Sequence, residues 1–71
     1  MPDTDMPGYD FRHFELPRAT DRLCQASCLN EAKCQAWTFV KPNTYSIHAV
    51  CWLKSRVPDK QANTCCVSGV R

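Results

Sequence analysis

The sequence predicts an α+β fold, with one α-helix laid on an antiparallel β-sheet and stapled by disulfides. Three observations lead there. The chain has 71 residues, enough for one small domain. Six residues are cysteine, about 8%, the density of a disulfide-stapled scaffold. Hydrophobic periodicity runs near two, then near 3.6, then near two again, which places a helix between strands. Setting cysteine and alanine aside leaves nineteen larger apolar side chains. So few cannot order a chain of this length unaided, and cross-links must carry part of the fold.

Residues 1–8 hold two prolines, a glycine and two acids without periodicity. They read as a flexible linker or frayed end, which makes 9–71 the domain. Tyr9 to Leu16 alternates loosely, is rich in aromatics and stops at Pro17, as a strand does. Thr20 is a good N-cap, and Asp21 suits the positive end of a helix dipole. From Thr20, the residues Leu23, Cys24, Ser27 and Cys28 form one helical stripe. The helix is expected to reach about Ala32, with Lys33 complementing its negative end. Cys34 to Val40 reads as a strand closed by the turn Lys41-Pro42-Asn43. A loop through Tyr45 to His48 leads into a strand from Ala49 to Leu53. Val57-Pro58-Asp59 breaks the chain, and Cys65 to Val70 reads as a closing strand.

Several functions fall away on composition. No apolar run approaches the ~18–20 residues of a membrane span. A net charge of +2 with seven acids interspersed does not make a nucleic-acid binder. Two glycines leave no phosphate-cradling loop. Paired cysteines instead indicate an oxidising compartment. The start, Met1 to Asp5, lacks the basic and apolar regions of a signal peptide. The expectation is therefore a module cut from a longer secreted, periplasmic or cell-envelope protein, with Met1 an added start residue.

Six cysteines allow fifteen pairings. Cys24 and Cys28, one helical turn apart, stand too far apart for a bridge, and the neighbours Cys65 and Cys66 fall below the usual Cα separation. Ten pairings remain once both are set aside. Nested bridges Cys28–Cys34 and Cys24–Cys51 are one arrangement that suits a helix above two following strands.

The run Tyr9-Asp10-Phe11, then Asp21-Arg22-Leu23-Cys24 with Cys28, then Cys34-Gln35-Ala36-Trp37-Thr38-Phe39, then Cys51-Trp52-Leu53-Lys54, resembles a PAN/apple domain. The tail Cys65-Cys66-Val67-Ser68-Gly69-Val70 is similar to the bacterial branch of that family. The resemblance implies a helix cradled by a curved sheet of about five strands, with core bridges at Cys24–Cys51 and Cys28–Cys34. It also implies a role in binding protein or carbohydrate, often within larger envelope proteins such as alpha-2-macroglobulin-like protease traps. This chain departs from full apple domains in having no cysteine before Cys24. Cys65 and Cys66 thus lack the family's terminal partner. A vicinal bridge is the favoured expectation, ahead of free thiols or pairing elsewhere.

Catalytic and metal readings fare poorly. Zinc sites pair ligands at short gaps, whereas Cys34 and Cys51 lie seventeen apart, and His13 and His48 have no matching neighbours. No Cys-x-x-Cys redox motif occurs, and a Cys65-Cys66 thiol switch is the weaker reading. Nothing brings Ser27 or Ser68 to a histidine. No catalytic residue, metal ligand or cofactor is assigned. Two surfaces remain. If Cys34 and Cys51 face the helix, alternation puts Ala36, Thr38, Val40, Ala49 and Leu53 with them, and Trp37, Phe39, Val50 and Trp52 opposite. A loop or the N-terminal strand would cover that second face, and any tryptophan left exposed marks a partner site. Lys41, Tyr45, His48, Lys54 and Arg56 flank the central strands and make a candidate binding rim. The function these readings support is non-catalytic recognition of a protein or carbohydrate. A structural spacer in a multidomain protein and a small cationic defence peptide are the alternatives.

Overall fold

A computed structural model describes all residues, 1–71. The order of elements is β1 (Thr4–Asp5), β2 (Asp10–Glu15), α1 (Asp21–Leu29), β3 (Ala36–Val40), β4 (Val50–Lys54), β5 (Gln61–Ala62) and β6 (Cys66–Val70). Strands β2, β4, β3 and β6 form one antiparallel sheet in that spatial order, and β1 pairs with β5 in a two-stranded ribbon. The expected α+β architecture is present, with α1 on one face of the four-stranded sheet.

Thr20 caps α1 in extended conformation, its hydroxyl accepting from the Arg22 amide at 3.3 Å. Apolar Cys24 and Cys28 turn inward and are bridged to Cys51 and Cys34, respectively. The helix ends at Leu29, three residues before the expected Ala32. The Cys28–Cys34 bridge makes the chain turn back within six residues, and the amides of Glu31 and Cys34 bond in tight turns to Cys28 and Glu31. Lys33 does not complement the negative end; its ammonium lies 4.6 Å from the centroid of the Phe11 ring. Arg71 takes that role, donating to the carbonyls of Leu29, Glu31, Ala32 and Cys34 at 2.7–3.3 Å.

Register places Trp37 opposite Leu53 and Phe39 opposite Cys51, and all four are buried in the core with Cys24 and Cys28. Strand β4 faces as expected. For β3 the expectation is reversed: Trp37 and Phe39 point to the helix, and Thr38 and Val40 point away. The cause is local. Cys34 precedes the strand, which starts only at Ala36, so its direction does not set the phase of the alternation. Gly69, opposite Trp37 on β6, leaves room for the indole; a Cβ there would stand 2.7 Å from Trp37 Nε1.

The expected linker 1–8 is instead packed on the far face of the sheet. Met6 is fully buried. Thr4 pairs with Ala62 and Asp5 with Gln61. The Ser68 amide donates to the Met1 carbonyl at 3.1 Å, and the Ser68 hydroxyl donates to the Thr4 carbonyl at 2.8 Å. Because a hydroxyl has one proton, the 2.8 Å contact between Thr38 and Ser68 is donated by Thr38. That chain of bonds straps the segment across β3 and β6. Gly8, at φ +104°, then reverses the backbone into β2.

Candidate functional site

The strap does not cover the far face completely. A groove of about 220 Å³ remains between residues 5–10, the sheet and the loop at Tyr45. Its floor comes from alternate residues of the strands: Thr38 and Val40 from β3, Trp52 and Lys54 from β4, Cys66 from β6. Asp5, Pro7, Gly8 and Asp10 form one wall and Tyr45 the other.

Trp52 is half-buried, and His13, its cross-strand partner, stacks on it with ring centroids 4.3 Å apart. Lys54 follows two residues later on the same face, and its side chain is only 3% exposed. Burial of an ammonium requires partners. Lys54 has two: the Asp10 carboxylate, its neighbour across the β2–β4 ladder, and the Gly8 carbonyl at 3.3 Å. An ammonium has three N–H donors, so one remains for the groove. Asp5 Oδ1 accepts the Met6 amide at 2.8 Å, which orients its carboxylate. Tyr45 is 77% exposed. The groove thus combines two aromatic rings, two carboxylates and an ammonium in a space the size of one ring or side chain.

The five rim residues do not form one surface. Tyr45 and Lys54 meet at the groove. Lys54 is a buried strand residue rather than a loop residue, because Asp10 and Gly8 satisfy its charge. Lys41 is tied to Asp3 at 2.9 Å. His48 stands 3.7 Å from Glu15 at the opposite end of β4. Arg56 lies over the Tyr9 ring, 5.9 Å from its centroid. Sequence reasoning missed Asp5 and Asp10. The usable signal was Trp52 and Lys54 at strand spacing on one face, since a lysine facing a covered sheet needs an acid nearby.

The cysteines pair as Cys24–Cys51, Cys28–Cys34 and Cys65–Cys66. The last bridge joins neighbours 3.7 Å apart at Cα: it is the vicinal bridge favoured from the missing terminal partner, and it overturns the exclusion of that pair on Cα separation. Residues 65 and 66 sit where a turn enters β6, not within regular alternation that would send their side chains to opposite faces.

Residues 4–54 match the PAN domain family. The chain belongs to that family. The matched stretch holds most of the strap, β2, the helix, β3, β4 and the bridges Cys24–Cys51 and Cys28–Cys34, and it ends on Lys54 in the groove. PAN domains are generally non-catalytic binding modules of protein or carbohydrate. No curated protein and no solved structure matches the chain.

A second depression lies between β2 and α1, where Arg12 and Glu31 pair at 3.2 Å among Ser27, Asn30 and Phe14. It is more open than the groove, its His13 ring is already stacked on Trp52, and its charges neutralise each other in solvent.

Proposed function

We propose that this PAN domain is a recognition module whose binding site is the far-face groove, and that its ligand is a carbohydrate. The observation that carries this reading is Lys54 beside Trp52 and Tyr45. Sugar rings present an apolar C–H face that packs on aromatics and hydroxyls that bond to carboxylates and ammonium donors. The groove supplies both sets. Its volume of about 220 Å³ is below the ~300–1,000 Å³ of drug-sized sites and suits one terminal sugar residue. No residue is chemically changed. Specificity would come from donors already oriented by the sheet and the strap, which lowers the entropy lost on binding.

The setting we infer is a secreted, periplasmic or cell-envelope protein of bacterial type, in which this domain is one part of a longer chain. Three disulfides support an oxidising compartment. An alpha-2-macroglobulin-like parent rests on family resemblance alone.

A glycan array with the oxidised domain tests the reading. Binding is expected, with affinity falling at least about tenfold in Trp52→Ala and Tyr45→Ala while circular dichroism is unchanged; tenfold corresponds to about 1.4 kcal/mol. An empty array with capture of a protein through the same residues would replace the sugar by a peptide ligand. Empty results in both would favour a spacer.

A further inference from the structure

At the end of the groove where Cys66 forms floor and Asp5 wall, the vicinal pair Cys65–Cys66 lies against Asp5, which reaches it from a different strand. We infer that reduction of this bridge creates a site for a thiophilic divalent cation such as Zn²⁺ or Cd²⁺, with the two thiolates and the Asp5 carboxylate as ligands.

The two Sγ atoms and a carboxylate oxygen of Asp5 all lie within 4.8 Å of one another. A tetrahedral ion with ~2.3 Å bonds to sulfur and ~2.0–2.2 Å bonds to oxygen spaces its ligands about 3.5–4 Å apart. Small displacements therefore suffice once the sulfurs part, and water completes the fourth position. The carboxylate is held by the Met6 amide through Oδ1, which leaves Oδ2 available. The Cys65 carbonyl accepts from Lys41, and the Cys65 amide donates to Asn63, so the backbone under the sulfurs is fixed. An orienting shell of this kind is what metal sites use. Two sulfurs and one oxygen favour zinc and cadmium over calcium or magnesium.

The bridge is also the one the fold can release. Cys65 is 7% exposed, whereas the other five cysteines are at most 1% exposed, so an incoming thiolate reaches it first. A link between neighbours restrains the unfolded chain very little, while Cys24–Cys51 closes 27 residues. The helix therefore stays on the sheet after reduction. An external dithiol supplies two electrons and two protons and becomes a disulfide; the Cys65–Cys66 bond breaks to give two thiols. Cation binding then releases both protons to solvent as two metal–sulfur bonds form, and Asp5 contributes an oxygen already ionised.

The test treats the protein with limiting dithiothreitol, removes it by anaerobic gel filtration, and titrates with Cd²⁺. Alkylation and peptide mass mapping locate the thiols, and thiolate-to-cadmium absorption reports binding. The expected result is modification of Cys65 and Cys66 ahead of the others, 1:1 Cd²⁺ binding that protects both, and none in the oxidised protein. Cys65→Ser/Cys66→Ser should abolish binding, and Asp5→Asn should weaken it at least about tenfold. Earlier reduction of another bridge, undiminished binding in the double serine variant, or no binding to the reduced protein would overturn the inference. Equal affinity in Asp5→Asn would overturn the three-ligand set.

Discussion

A lysine ammonium inside a small domain persists only while an acid and a backbone acceptor compensate its lost hydration, and Asp10 and Gly8 do this for Lys54. Asp10→Ala should therefore destabilise the domain by about 1–3 kcal/mol. That is less than the ~3–5 of a fully buried pair, because the Asp10 side chain is 32% exposed. Adding Lys54→Met should recover most of the loss, and urea unfolding of both variants measures it. Gly69 carries a second constraint. Gly69→Ala drives a methyl into the Trp37 indole, which is buried and has nowhere to retreat, at a cost of about 1–3 kcal/mol. A thermal melt unchanged from the parent protein would show that the strand shifts instead. At this scale the sequence was only partly legible. Trp52 on the far face followed from alternation. Lys54 did not, because a charged residue near a strand end reads as solvated until its acid, 44 positions away, is placed beside it.

Among the elements, α1 depends on a side chain far from it in sequence. Arg71 donates to four carbonyls at the end of the helix and the turn that follows. Arg71→Ala should cost about 1–2 kcal/mol, at or just below the usual range for charged hydrogen bonds, since three of the four contacts are exposed. Amide exchange should accelerate in the last turn of α1 and in residues 31–34, with β3 and β4 unaffected. Uniform acceleration across the domain would instead point to global loss of stability. Thr20, Asp21 and the stripe through Cys28 made the helix start readable. Its end was not, because it is set by a bridge and by Arg71 rather than by a local stop signal. Two-residue β1 and β5 carry too little periodicity to be seen. Residues 1–8 therefore read as a loose end although tertiary bonds hold them.

For the molecule as a whole, the helix covers one face of the sheet and a strap of eight residues covers most of the other, with sulfur at the centre of both layers. Chain-entropy arguments rank the bridges. Closing the 27-residue separation of Cys24–Cys51 contributes about 3–4 kcal/mol, Cys28–Cys34 about 2 at most, and Cys65–Cys66 well under that. The α+β class and the density of cross-links were legible from cysteine content and periodicity. The groove was not, because it exists only where the strap stops short of Tyr45. The Cys24–Cys51 cross-link, more than the oily core, holds the helix to the sheet that builds the groove. Guanidinium unfolding of the oxidised protein beside Cys24→Ala/Cys51→Ala and Cys65→Ser/Cys66→Ser tests it most directly. A loss of at least about 3 kcal/mol is expected in the first variant and under about 1 kcal/mol in the second. Equal midpoints for the parent and the Cys24→Ala/Cys51→Ala protein would contradict it.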